Sequence, residues 1–331
     1  MKVARGLGVL VATAAGLAAA TIGSAAGPPA PKAVNGHAVT VLARGVNTPT
    51  AFAFADSTVF VAGFGDEQHP KVKGGVYVVK GGKATVVKGS PAHVLGLAYA
   101  GGTLYLSSGY KILAWSSWNG TSFAKSRTVV AAPKGATFNG IAHGPDGKIY
   151  AGISLGDGKT VDYEAGTTPY ANDVVAVDAS TGAITVVAKG LRQPWQLAFV
   201  PGHKGPLVSD LGQENLGKKR PPDYIVEAVP GSNFGFPSCP AKPSTCSNYT
   251  KPFAQFPAHS SAMGLAPLGG KLYVALFGGT GKGPEVVSMP TAGGSFTPFV
   301  TGFVAPVVAL GAHDGAVYAG DLTGAVYRVK P

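Results

Sequence analysis

One short pattern occurs six times along the chain, and this repetition constrains the fold more than any other feature. A run of small and apolar residues appears at Thr50–Phe54, Val94–Tyr99, Asn139–Ala142, Trp195–Phe199, Met263–Ala266 and Val307–Leu310. Each is followed by a second run that mixes aliphatic, aromatic and small residues: Val59–Ala62, Leu104–Leu106, Ile149–Gly152, Leu207–Ser209, Leu272–Ala275 and Val317–Gly320. The runs are short, rich in Val, Tyr and Phe, and bounded by Gly, Asp, Asn and Pro, so they read as strands; no segment after the N-terminal leader keeps a 3.6-residue apolar period. Six units at intervals of roughly 45 to 70 residues predict an all-β, six-bladed β-propeller. Small residues suit the crowded inner strands, and aromatic residues suit the packing between neighbouring sheets. A two-sheet sandwich would need fewer strands and would not produce six copies of one inner-strand motif. The strand at His37–Arg44 has no blade of its own, so this N-terminal strand is expected to close the last blade beside Ala325–Arg328.

The leader has its own logic. Lys2 and Arg5 precede an uncharged run over 6–20, and Gly23-Ser24-Ala25-Ala26 supplies small residues for cleavage, so residues 1–26 read as a secretory signal peptide. Its apolar stretch is shorter than the ~20 residues a membrane span needs. Residues 27–36 read as a Pro-rich linker and 37–331 as the propeller, a secreted, extracellular or cell-wall-associated domain with no membrane span after cleavage. In an oxidising compartment the two cysteines, Cys239 and Cys246, are expected to form a local disulfide that staples a Pro- and Ser-rich loop. The chain carries 27 Lys+Arg against 16 Asp+Glu, a net +11 that falls to +9 when Lys2 and Arg5 leave with the leader. That charge favours anionic surfaces such as cell-wall polymers. The basic residues are dispersed, with Lys218-Lys219-Arg220 the one tight cluster, so no nucleic-acid partner is expected. There is no P-loop and no His-Glu-x-x-His.

The segment from Gly190 to Pro237 carries a resemblance. It reads Gly190-Leu191-Arg192-Gln193-Pro194-Trp195-Gln196-Leu197-Ala198-Phe199, then Asp210-Leu211-Gly212, Asp223-Tyr224-Ile225 and Gly231-Ser232-Asn233-Phe234-Gly235-Phe236-Pro237. These blocks resemble, in the same order, the G-L-R-N-P-x-G-L-A-F, E-x-G, D-E-I-N and G-x-N-Y-G-W-P blocks of the glucose/sorbosone dehydrogenases. Those are secreted six-bladed propellers that use pyrroloquinoline quinone (PQQ). His259-Ser260-Ser261-Ala262-Met263-Gly264-Leu265 is similar to the family's H-x-A-P-S-G-L, and the chain closes on a match to its G-D-x-x-G-x-I-Y-R-V.

The resemblance implies oxidation of a sugar-like alcohol or aldehyde, with PQQ as acceptor and Ca2+ assisting. It implies cofactor contacts for Arg192 and its neighbour Gln193, where the family commonly has Asn, and oxygen ligands for a metal at Asp210 and Asp223. It also exposes a departure. Aligning Gly144-Pro145-Asp146-Gly147 with the family's turn places Gly135 and Ala136 where an Asp-His pair should stand, and alanine cannot take a proton. The remaining histidines that the sequence offers as catalytic substitutes are His259, His143 and, less directly, His93. The expected protein is therefore a monomeric propeller of the sugar dehydrogenase type whose activity is in question. One alternative is a non-catalytic propeller that binds carbohydrate, cell-wall or protein ligands through its mouth loops. Another is a metal-dependent lactonase, for which the sequence identifies no converging ligand set. The long segments from Gly156 to Asn172 and from Leu211 to Ser261 are expected to lie over one mouth of the channel.

Overall fold

The computed structural model describes residues 28–66, 69, 71–133, 135–154 and 168–331. The expected leader and most of the expected Gly156–Asn172 loop lie outside the described residues. Six sheets, antiparallel except at one outer edge, form the structure. Blade 1 holds Pro49–Ala55, Thr58–Gly65, Lys73–Lys80 and Lys83–Val86; blade 2 holds Val94–Ala100, Thr103–Ser108, Lys111–Trp118 and Phe123–Ala131. Blade 3 is Thr137–His143, Ile149–Ser154, Asp173–Val177 and Ile184–Lys189, and blade 4 is Pro194–Ala198, Leu207–Asp210, Asp223–Glu227 and Ala254–Phe256. Blade 5 is Ala262–Leu268, Lys271–Leu276, Glu285–Pro290 and Thr297–Thr301, while blade 6 combines Val307–His313, Ala316–Asp321 and Val326–Val329 with the N-terminal Val39–Ala43. Each of the six repeated runs is an innermost strand, and each following run is its partner.

The ring closes as the sequence predicts: Thr40 pairs with Arg328 and Val41 with Tyr327. The segment ahead of that strand is tied down as well, because Lys32–Ala33 pairs antiparallel with Thr301 and Val300 on the outer edge of blade 5. A second outlier, Ser232–Asn233, joins the outer edge of blade 3 in parallel although it lies in the chain between two strands of blade 4.

Why the inner strands demand small residues is visible at the axis. A Cβ added to Gly96 would lie 2.5 Å from the backbone nitrogen of Ile141 in the next blade, and one added to Gly264 would lie 2.5 Å from that of Leu310. Every inner hairpin also slips register near the start of its inner strand, between Pro49 and Ala51, Val94 and Gly96, Phe138 and Ile141, Pro194 and Leu197, Ala262 and Leu265, and Val307 and Ala309. A bulge repeated at one level turns the first residues of each inner strand and frees their polar groups for the neighbouring blade. Thr50 Oγ1 donates to Val94 O, Ser107 Oγ to Asn139 O, Asn139 Nδ2 to Pro194 O and Ser209 Oγ to Met263 O, a belt running from blade 1 to blade 5.

Outside this belt the blades adhere through side chains. Separate buried clusters fill the gaps between blades, for example Tyr105, Ile112, Phe138 and Ile149 between blades 2 and 3. Each fully buried Ile, Leu or Phe contributes about 1.5–3 kcal/mol, so apolar contact rather than shared strand pairing holds most of the ring together.

Candidate functional site

The starts of the inner strands and the ends of their partners lie at one end of the ring, as the pairs Pro194–Asp210 and Ala262–Leu276 show. Arg192, Gln193, Asp210, Asp223 and His259 all belong to that end. Asp210 closes the second strand of blade 4 and takes the backbone N–H of Gln193 on Oδ1 at 2.7 Å and that of Arg192 on Oδ2 at 3.3 Å. Asp223 opens the third strand and takes the N–H of Gly212 on Oδ1 at 2.7 Å and of Ser261 on Oδ2 at 2.8 Å. The two carboxylates thus clamp three loops of blades 4 and 5. Burial pushes the Asp210 carboxyl up to about 7, opposed by its two backbone N–H groups and the Arg192 guanidinium, and burial likewise raises Asp223. Arg192 is itself buried and donates from Nη1 to Gln193 Oε1 at 3.1 Å.

His259 reaches the same network. Its Nδ1 meets Glu214 Oε2 at 2.8 Å and its Nε2 meets the carbonyl oxygen of Gly217 at 3.0 Å. An ionised carboxylate and a carbonyl only accept, so both ring nitrogens donate and the side chain is an imidazolium. The hydrogen bonds to Gly217 and Glu214 outweigh the partial burial that would lower its pKa, which is raised. An imidazolium has no lone pair with which to take a substrate proton.

One further expectation, His143, meets geometry that does not serve it. His143 ends its inner strand, paired with Ile149, and so lies at the opposite end of the ring from Arg192, beside the Tyr105 ring. Strand direction puts it out of reach of the mouth. Ala136, at the position of the missing base, is 2 % exposed and packed among the residues between blades 2 and 3. His93 is at the mouth end, with Nδ1 bonded to Phe64 O at 2.9 Å and its ring against that of Phe64.

Sequence reasoning passed over Gln196. At the axial position of the six inner strands stand Ala51, Gly96, Gly140, Gln196, Gly264 and Ala309, so one blade alone carries a long side chain there. It crosses the channel: Nε2 donates to Thr50 O at 2.9 Å and Leu95 O at 3.2 Å, bonding blade 4 to blades 1 and 2. Just above it, Phe64, Leu95, Trp195, Met263 and Val308 from five blades join one buried apolar cluster. The channel that the fold provides is filled by side chains at this level. The family block has Gly where Gln196 stands, so an alignment of the inner strands carried the signal.

Open space lies to the side of the axis. A cavity of about 330 Å³ is bounded by Arg192, Asp210, Tyr224, Phe234, Phe236 and Tyr249, between blades 3 and 4. The resemblance-bearing segment builds it. Gly190 has a left-handed backbone, φ 70°, and a Cβ there would lie 2.4 Å from Asn233 Oδ1 and 2.7 Å from the nitrogen of Gly235. Phe236 N donates to Gly190 O at 2.9 Å, and the Tyr249 ring lies directly over Gly235. The glycines and Asn233 of the signature therefore interlock as scaffold. The Cys239–Cys246 disulfide forms as expected and closes the loop that covers this cavity.

No family model matches the sequence, and no curated protein sequence matches it either. Solved structures do match in shape. The PQQ-bound aldose sugar dehydrogenase of Streptomyces coelicolor superposes with a TM-score of 0.69 over 91 % of this chain and 99 % of that one, at 20 % identity. The chain shares that fold. A carbohydrate-active enzyme of family AA12 from Trichoderma reesei gives 0.73 over 93 % of this chain and 99 % of that one, at 18 % identity. The apo form of the soluble aldose sugar dehydrogenase of Escherichia coli gives 0.65 over 88 % and 98 %, at 16 % identity. The likeness to these three structures spans nearly the whole ring.

Among the described residues no group of three His, Cys, Asp or Glu side chains converges as a metal ligand set, and no helix is long and apolar enough to cross a membrane.

Proposed function

We propose that the protein is a sugar-directed propeller of the aldose dehydrogenase type, which takes a sugar-like molecule at the mouth end over blades 4 and 5 without the family's base-assisted oxidation. The observation that carries this reading is the His259–Glu214 pair. It sets a two-donor cation beside a carboxylate at the mouth end of a ring shared with aldose sugar dehydrogenases, with Glu214 47 % exposed. Both N–H groups of His259 are spent on Glu214 and Gly217, so what the pair offers a sugar hydroxyl is the half-exposed Glu214 carboxylate, an acceptor held in place by the ring. The same pair argues against proton abstraction, because neither His259 nor Ala136 has a free basic nitrogen to offer.

The fit to PQQ and calcium is partial. Arg192 suits an anionic quinone by charge. Asp210 and Asp223 already hold two backbone N–H groups each, and no third carboxylate or imidazole stands with them as a ligand set among the described residues. With the base position filled by Ala136, no oxidation step follows from these residues. PQQ-dependent oxidation of an aldose is the second reading, favoured by the place of Arg192 and by the PQQ-bound form of the Streptomyces coelicolor protein. We also propose export through the 1–26 leader, a monomeric state, and residence near carbohydrate-rich surfaces.

One set of measurements separates the readings. The exported protein is titrated with PQQ, with and without calcium, following the quinone absorbance. Dye reduction is then assayed with aldoses, and binding of monosaccharides and cell-wall oligosaccharides is measured by calorimetry. Sugar binding without dye reduction is expected. Turnover of an aldose would establish oxidation in place of simple binding, and absence of any sugar binding at millimolar concentration would refute the sugar-like ligand.

A further inference from the structure

The two ends of the ring carry different charge at their surfaces. Exposed carboxylates mark the far end, where Asp56, Asp146 and Asp314 stand in turns between first and second strands. At the mouth end the carboxylates of the described residues are withdrawn or matched. Asp210, Asp223, Glu285 and Asp321 are buried, Asp66 meets His69 Nδ1 at 2.6 Å, Glu214 meets His259, and Asp173 interacts with Lys189. Cations are left facing solvent there. Lys73 opens the third strand of blade 1 and Lys111 that of blade 2. Lys218, Lys219 and Arg220 lie in the loop that leads to the third strand of blade 4, and Lys282 lies in the corresponding loop of blade 5. All but the half-buried Lys111 are exposed, and no carboxylate of the described residues lies within ion-pairing distance of these six cations.

Neighbouring inner strands meet in chain order around the ring, so blade 1 faces blade 4 across the axis and blade 2 faces blade 5. The cations therefore form two arcs on opposite sides of the mouth. Between them the channel is closed by Phe64, Leu95, Trp195, Met263 and Val308, and a ligand lies across the opening instead of entering it. A single small anion meets one arc, whereas an extended chain with repeated negative charge meets both, and the second contact gains from the first. One arc also offers an aromatic surface. Tyr110 is 48% exposed, with Lys111 Nζ 5.3 Å from its ring centroid. The apolar C–H face of a sugar packs on such a ring while a carboxylate on the same sugar reaches the ammonium.

From this arrangement we infer that the mouth binds an acidic glycan, a chain of uronate sugars laid across the ring from the Tyr110–Lys111 side to the Lys218–Arg220 and Lys282 side. The inference rests on the sugar-directed reading above and narrows its ligand class. Glu214 and His259 stand beside the second arc as a carboxylate and an imidazolium, so the pair takes a hydroxyl of the chain without adding net negative charge.

Hexagalacturonate is the probe, its methyl ester the neutral counterpart on the same backbone, and polyglutamate of matching charge the anion without sugar. Each is titrated into the intact protein by calorimetry at low and at physiological salt. Hexagalacturonate is expected to bind roughly tenfold more tightly than the ester or polyglutamate, and added salt should erode its preference over the ester. Lys111→Glu, and Lys218→Glu combined with Lys219→Glu, should each weaken hexagalacturonate about three- to tenfold. Lys271→Glu makes the same change of charge at an exposed position on the far end and should leave the affinity as it was. Tyr110→Ala should weaken acid and ester together. An unchanged circular dichroism melt shows that each variant is folded. An ester that binds as tightly as the acid refutes the acidic glycan and leaves the sugar-directed reading standing, whereas no binding of either at millimolar concentration removes both. Equal affinity for polyglutamate, or an equal loss in Lys271→Glu, refutes the inference in favour of a general polyanion surface.

Discussion

Replacing Gln196 with alanine tests whether the filled channel holds the ring together. The side chain makes two hydrogen bonds across the axis, to the carbonyls of Thr50 and Leu95, from a position 7 % exposed. Each bond contributes about 0.5–1.5 kcal/mol net, and carbonyls left without a partner add to the loss. Deleted methylene groups cost about 0.8 kcal/mol apiece before any cavity is counted. The sum is roughly 2–4 kcal/mol, which in a chain of this size lowers the melting temperature by about 3–6 °C. Thermal melts and guanidinium titrations of Gln196→Ala and Gln196→Met against the parent protein measure it. The methionine variant keeps the volume and loses only the hydrogen bonds, so it should fall between the two. If alanine changes stability by less than about 0.5 kcal/mol, the cross-channel bonds are incidental and the belt at the inner strands carries the ring alone.

Two other outcomes follow from the mouth network. Asp210 is raised from 3.8 to about 7, so the folded state holds a proton there that the unfolded chain releases; stability is greatest below about pH 4 for this group and falls as pH climbs to about 7, by about 4 kcal/mol at most. Asp173, raised to about 6 by burial, adds in the same direction, and Asp210→Asn should flatten the slope measured by denaturant titration between pH 4 and 7. Glu214→Gln removes the carboxylate beside His259, so the imidazole pKa should fall when followed by its NMR ring-proton shift; an unchanged titration would show that the pair does not hold the ring as a cation.

The six inner strands, their partners and the closing N-terminal strand were legible because a crowded axis forces small residues into a fixed place in every repeat. The disulfide was legible because the two cysteines are the only ones and lie seven apart. Site geometry was less so. Arg192, Asp210, Asp223 and His259 do gather at one end, yet their type does not reveal that both carboxylates are bound to loop N–H groups, or that Glu214 and Gly217 fix His259 as a cation. Those partners come from loops whose path no periodic pattern specifies. His143 shows the opposite case, since its strand direction follows from the repeat and already separates it from Arg192. Lys32–Ala33, within the expected linker, pairs with blade 5 through backbone groups alone, which leave no mark on side-chain composition.

The last blade is stitched from the two extremes of the described chain, Val39–Ala43 lying beside Val326–Val329. A ribosome therefore makes one half of this seam nearly three hundred residues before the other. Five sheets can form as they emerge, but the circle stays open until Val326–Val329 arrives, and loss of that strand leaves a molecule with two raw edges.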